Sequence, residues 1–253
     1  MKRILFMALH IKNPILRKVF SFRQYITLHN CKLKQDVRRF IEENTEIVKG
    51  NSLTPEISLR LFTTKCRFWT EKPELWPFPE PFWAIYWPGG QALSRYLLNN
   101  PEVSGGRRVL DLGCGCGASA IAAKLTGAMH VVANDIDPIA TSATQINCEL
   151  NGLDPLPCVT ENMIGSEPEK WDLILLGDMF YDESLADSLH NWLQTCIKIH
   201  GTQILIGDPG RAQFENHNIK TLLHKQAEFE LPNSVKEENY GLTSSTVWHY
   251  LPF

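Results

Sequence analysis

The stretch Val109-Leu110-Asp111-Leu112-Gly113-Cys114-Gly115-Cys116-Gly117 decides how the rest of the chain is read. The run from Arg107 to Leu112 is apolar enough for a strand buried on both faces. Three glycines at alternate positions follow, then Ala118 to Leu125, spaced as a helix that Gly127 ends. Glycine lets the backbone turn tightly and approach a ligand with no Cβ in the way. Strand, glycine loop and helix in that order open a βαβ unit, whose ligand sits beyond the carboxyl end of the strand.

Working outward, the same alternation continues. A strand is expected over His130 to Asn134 and a helix over Pro138 to Leu150, ended by Asn151-Gly152. A short strand follows at Cys158 to Thr160, then a strand over Trp171 to Leu176 and a helix over Leu185 to Ile199. After a strand at Thr202 to Ile206 come a helix near Phe214 to His224 and two last strands, Glu228 to Leu231 and Ser245 to Tyr250. The expected fold class is α/β: a doubly wound, mostly parallel sheet covered on both faces, closed at one edge by an antiparallel hairpin. Upstream, Asp36 to Val48 reads as a helix, and a segment dense in aromatics and prolines runs from Phe68 to Trp87. Prolines 73, 77, 79, 81 and 88 forbid a long helix there, so it is read as extended chain; a helix is expected after Gly89-Gly90, stopped by Asn99-Asn100-Pro101.

Chemistry gathers at the strand ends. Gly113-x-Gly115-x-x-Ala118 also satisfies the dinucleotide fingerprint, so NAD is one reading of the loop. Asp111, just ahead of the glycines, would disfavour a pyrophosphate but suit a ligand with a cationic end. Asp135, at the next strand end, can accept both hydroxyls of a ribose. Asp137 reads as the helix N-cap before Pro138. Asn162 and Met163 could set an amide and a thioether on an adenine. After the fourth strand comes Gly177-Asp178-Met179-Phe180-Tyr181, an Asp-x-x-Tyr rather than the Asn-Pro-Pro-Tyr of amide and base-amine methylases. A carboxylate orients an ammonium, and an aromatic wall accommodates an aliphatic stem and a cationic head.

The Asp-x-Gly-x-Gly-x-Gly loop resembles that of the class I S-adenosylmethionine (SAM) methyltransferases. Together with Asp-x-x-Tyr after the fourth strand, it makes the chain similar to the seven-strand protein lysine methyltransferases. The preface Trp76 to Gly90, Asp178 to Asp182 and Ile206-Gly207-Asp208-Pro209-Gly210-Arg211 resemble a mitochondrial branch of that family. The resemblance implies a Rossmann-like seven-strand fold, SAM as cofactor and S-adenosylhomocysteine (SAH) as product. It also implies lysines of the electron transfer flavoprotein beta subunit as acceptors, near where partner dehydrogenases dock. Carried over by position, Trp87, Asp111, Gly113, Cys114, Gly115, Gly117, Asp135, Asn162, Met163 and Gly177 line the cofactor pocket, and Asp178 and Tyr181 meet the lysine. Trp83 and Trp87 could equally be packing residues. Asp208 and Arg211 could shape the acceptor's access or form a turn through Pro209-Gly210.

Bulk properties set the frame. At 253 residues and a formal net charge of -3, the chain is long enough for one α/β core and lacks the positive charge that grips nucleic acid. No apolar stretch is long enough for a membrane insertion. Seven cysteines without paired spacing suit free thiols; Cys114 and Cys116 can be read as half a zinc site, but no second pair matches them, and no metal is expected. Residues 1–35 contain no acid, and Lys2, Arg3, Lys12, Arg17, Lys18, Arg23, Lys32 and Lys34 are spread among apolar residues. This is the pattern of a mitochondrial transit peptide, or of a disordered basic tail. The expected organisation is a leader over 1–35, an extension covering the cofactor over 36–100, and a methyltransferase core over 101–253.

Overall fold

The computed structural model describes residues 35–72, 81–238 and 241–252. Residues 1–34 of the expected leader and the prolines at 73, 77 and 79 therefore lie outside the described residues. The chain divides into two compact units, 1–40 and 41–253. Of the first, residues 35–40 are described and are helical, the opening of α1 (35–44). In the second, the helix expected to reach Val48 stops sooner. β1 (Glu46–Val48) pairs antiparallel with β2 (Leu59–Leu61), so those backbone groups are spent on a ladder. A short α2 (Arg67–Thr70) and a 3-10 turn at Phe82–Ala84 interrupt the segment expected to be extended. α3 (Pro88–Asn99) begins with proline at its first turn, where the missing N–H costs nothing.

The core follows the expected alternation: β3 (Arg108–Leu112), α4 (Ala118–Leu125), β4 (His130–Asn134), α5 (Pro138–Leu150), β5 (Cys158–Val159), β6 (Leu173–Gly177), α6 (Glu183–His200) and β7 (Gln203–Asp208). Then come α7 (Ala212–Asn216), β8 (Leu223–Glu230), α8 (Asn233–Glu238) and β9 (Ser244–Tyr250). The seven-stranded sheet runs β5-β4-β3-β6-β7-β9-β8, parallel from β5 to β7, with β9 antiparallel to both neighbours.

Two expectations near the carboxyl terminus are corrected. The helix near Phe214 to His224 is broken at His217, whose extended backbone ends α7 and whose Nδ1 accepts from the Ile219 amide to cap a 3-10 turn. The last two strands pair antiparallel at the sheet edge as expected, but α8 intervenes between them and β9 sits inside β8. β9 buries Ser245, Val247 and Tyr250, whereas β8 has no fully buried residue and takes the edge.

Period-two alternation sends neighbouring side chains to opposite faces. Val109, Leu173 and Leu205 pack with α3 and α4, and Leu110, Ile174 and Ile206 pack with α6 and Phe214 of α7. The sheet is thus filled on both sides, and the loops at the carboxyl ends of the parallel strands remain for chemistry. No helix of the described residues is long and apolar enough to cross a membrane.

Candidate active site

Four carboxylates stand at that end of the sheet: Asp111 in β3, Asp135 after β4, Asp178 after β6 and Asp208 closing β7. Gly113, Gly115 and Gly117 all have positive φ (68°, 52° and 80°), so the loop turns where other residues would be strained. A Cβ on Gly113 would run into the Met179 sulfur, and one on Gly117 would lie 2.6 Å from the Thr144 methyl. Asp111 Oδ2 accepts from the Ala120 amide of α4 at 2.9 Å. Burial pushes its carboxyl up to about 7, that amide opposing the rise and Asp135 adding to it. Asp135 accepts from the Gly115 amide and the Asp137 amide, both at 3.0 Å, and burial raises it too. Asp137 caps α5 as expected, accepting from Ile139 N at 2.8 Å.

A recess opens between this loop and the start of α3. It is lined by Ile85 to Trp87 and Gly90 on one side, and by Asp111, Gly113 to Cys116, Ala118, Ser119 and Gly177 on the other. Of the residues expected at the cofactor, it unites Trp87, Asp111, Gly113, Cys114, Gly115 and Gly177. Gly117 shapes the turn from beneath, and Asp135 stands behind the loop, bonded to it. Asn162 is exposed and bends its own loop by accepting from Ile164 N. Met163 is buried in the core on the other face of the sheet. Trp83 is buried, in keeping with its packing alternative. Cys114 and Cys116 are buried with their thiols pushed up by desolvation, and the described residues contain no cluster of three His, Cys, Asp or Glu able to hold a metal.

The other half of the site centres on Asp178. It is 6% exposed and has a left-handed backbone, φ 57°, which a non-glycine residue holds only when its surroundings over-determine it. Its Oδ2 accepts from the amides of Gly89 (2.5 Å) and Gly90 (3.2 Å) at the start of α3. Its Oδ1 accepts from Arg211 Nε (3.0 Å) and Nη2 (2.6 Å). Burial raises this carboxyl, and Arg211 pulls it back down. Asp208 is 1% exposed; its Oδ1 accepts from the amides of Gly210 (2.7 Å) and Arg211 (2.8 Å), so it builds the turn that delivers Arg211. Burial and the neighbouring Asp178 push Asp208 up to about 7.

Glycines make this convergence possible. A Cβ on Gly89 or on Gly207 would overlap the other's carbonyl, and one on Gly177 would lie 2.9 Å from the Gly90 Cα. The start of α3 therefore rests backbone-on-backbone against the ends of β6 and β7. In the sequence Gly89-Gly90 reads as a helix signal and as the end of the preface; its pairing with Gly177 and Gly207 is a contact across the chain. Outside it, Tyr181 is 55% exposed, with its ring 6.3 Å from that of Phe82, itself 52% exposed. Phe82 is 6.2 Å from Trp87, whose Nε1 donates to the Phe82 carbonyl at 2.9 Å. The Arg211 guanidinium lies 5.3 Å from the centre of the Trp87 ring.

Comparison with known proteins agrees with this architecture. Residues 91–202 match the family profile of ribosomal protein L11 methyltransferase (PrmA). The chain is 74% identical to the electron transfer flavoprotein beta subunit lysine methyltransferase of Danio rerio, over 91% of this chain and 88% of the relative. It is 59% identical to the Homo sapiens protein of that name, over 87% and 84%. Among solved structures, one assigned as a SAM-dependent methyltransferase of Streptococcus mutans aligns with a TM-score of 0.55 at 15% identity, over 81% of this chain and 55% of that one. At that identity the likeness shows the fold.

Proposed function

The chain belongs to the electron transfer flavoprotein beta subunit lysine methyltransferases, and from that premise we propose that it methylates lysines of that subunit in the mitochondrial matrix, modulating the subunit's docking with its dehydrogenases. It is a SAM-dependent protein-lysine methyltransferase of α/β fold. The observation that carries the choice of substrate is the 74% identity to a relative so named, across nearly its whole length. The acid-free, basic first 35 residues support the matrix assignment.

The residues present fit the cofactor. A Cβ on Gly113 or Gly117 would strike Met179 or Thr144, so glycine is what lets the loop fold around the recess, which is lined by the Asp111 carboxylate and by Tyr86 and Trp87. Bound there, SAM supplies an electrophilic methyl on a sulfonium centre. Asp111 and the loop from Gly113 to Gly117 would hold its cationic end, Asp135 would hold its ribose, and Trp87 would cover it. Asn162 would have to turn inward to reach an adenine. Tyr181, with Phe82 and Trp87, would receive the lysine stem between ring faces. Asp178 would act on the acceptor end through the groups it holds, the start of α3 and Arg211.

The test is to incubate the purified full chain with labelled SAM and recombinant electron transfer flavoprotein, then map labelled residues by mass spectrometry. Label on beta-subunit lysines is the expected result. No label there, or label on ribosomal protein L11 offered in parallel, would overturn the substrate assignment.

A further inference from the structure

Asp178 does not present a bare carboxylate to an incoming lysine. A carboxylate has about four lone-pair positions. Here two are taken by the Gly89 and Gly90 amides and two by Arg211 Nε and Nη2. The side chain of Asp178 is 6% exposed and that of Arg211 is 25%, so the outward end of the pair is the guanidinium. That cation lies against Trp87, the ring that both lines the recess and meets Phe82. A lysine stem passing along Tyr181, Phe82 and Trp87 therefore meets positive charge at the end of its path.

Of the other charged groups around Arg211, the buried oxygen left without a hydrogen-bond partner is Asp208 Oδ2. Asp208 spends Oδ1 on the Gly210 and Arg211 amides, and its raised pKa lowers its negative charge near neutrality. On α7, Glu215 is paired with Lys220 Nζ at 2.5 Å. On the acceptor loop, Asp182 caps α6 by accepting from Leu185 N at 2.9 Å. Tyr181 is raised by burial and by Asp135 and Asp182, and stays a neutral phenol at working pH.

We propose that Arg211 is a further functional residue of the acceptor site: its guanidinium makes the lysine bind as the neutral amine, the form with a free lone pair, with the ammonium proton leaving to solvent. The inference rests on lysine being the acceptor. In water a lysine near its ordinary pKa of about 10.4 is neutral in well under about 1% of molecules at pH 8. A neighbouring cation disfavours a second positive charge and brings the amine's pKa down, as in other sites where a lysine is made nucleophilic. Arg211 holds that position because Asp178 clamps it with two bonds and Asp208 fixes its backbone.

The experiment is calorimetric titration of the SAH-loaded full chain with electron transfer flavoprotein, at about pH 7.5 in two buffers of different ionisation enthalpy, which counts protons released on binding. Wild type should release close to one proton per acceptor lysine bound. A substrate whose mapped acceptor lysines are replaced by methionine should release none. Arg211→Met should release few, and its kcat/KM profile should need a pH higher by about one unit or more. Arg211→Lys, which keeps the charge without the fork, should release protons like wild type. Binding by wild type without proton release overturns the proposal even if Arg211→Met fails to fold. Arg211→Met that binds and releases as many protons as wild type also overturns it. Absence of any methylation by wild type would instead remove the lysine reading itself.

Discussion

The two pairs of carboxylates at the ends of the parallel strands are chemically alike and differ at one member, Asp178. Asp111 and Asp135 accept from backbone amides: Ala120 for the first, Gly115 and Asp137 for the second. Asp208 likewise accepts from backbone amides, of Gly210 and Arg211, whereas Asp178 holds a cation of the chain itself, the Arg211 guanidinium, together with the backbone of α3. In the second pair the charge of Asp178 is answered within the chain, by Arg211, and spent on architecture; in the first pair the bonds come from backbone amides alone. In the proposed function that difference separates the two halves of the site. A cationic cofactor suits the Asp111 side, and an acceptor that must become neutral suits the Arg211 side.

Removing an anchor should cost more than removing a ligand contact. Asp178→Ala leaves Arg211 without its partner and the Gly89 and Gly90 amides without an acceptor. We expect methyl transfer to fall by roughly a thousandfold or more, with SAH binding weakened about tenfold because the displaced start of α3 lines the recess. Unchanged SAH affinity by calorimetry would show that Asp178 serves the acceptor alone.

Gly207→Ala probes the same anchor sterically, since its Cβ would overlap the Gly89 carbonyl, a backbone atom with little freedom to yield. Overpacking of this kind costs about 1–3 kcal/mol, and a drop of several degrees in Tm is expected alongside loss of cofactor affinity. A variant as stable as wild type would mean that α3 is not fixed by this contact.

On the cofactor side the sign is reversed, and it depends on pH. Burial lifts Asp111 to about 7 in the folded chain, above its unfolded value. Its contribution to stability is therefore fully present below the unfolded pKa and lost as pH rises through 7. Asp111→Asn keeps an oxygen for the Ala120 amide and removes the charge. The ligand-free variant should melt higher than wild type at pH 8, by at most a few kcal/mol of stability, and much like it at about pH 4. It should also bind SAM more weakly. A variant less stable than wild type at pH 8 would mean that the carboxylate is answered within the chain after all.

The same contrast explains what could be read from the sequence. The loop from Asp111 to Gly117, Asp135 one strand later and the cap at Asp137 are local: each acts through neighbours or through regular βαβ geometry, and each lies where the spacing put it. Asp178 and Tyr181 were legible as a motif, but Asp178's partners were not. Gly89 lies far upstream and Arg211 far downstream, and only the folded sheet brings them together. His217, which breaks the expected helix, gives no signal stronger than a histidine beside two asparagines. β9 took the inner position because burial of Val247 and Tyr250 outweighs chain order, and alternation alone does not rank two strands.

The smallest expected effect tests the outer wall, where neither pair of carboxylates acts. Phe82 is half exposed and lies between Tyr181 and Trp87, held by a 3-10 turn whose next residue, Trp83, is buried. Because Trp83 and the Trp87 Nε1 bond to the Phe82 carbonyl fix the backbone, truncating the ring should leave the turn in place. Phe82→Ala then removes one face against which a lysine stem would pack, an aromatic contact of about 0.5–1.5 kcal/mol. We expect KM for the protein substrate to rise about three- to tenfold, with SAH affinity and Tm close to wild type. If instead SAH affinity falls and KM holds, Phe82 belongs to the cover of the cofactor, and the boundary between the two halves of the site moves outward past Trp87.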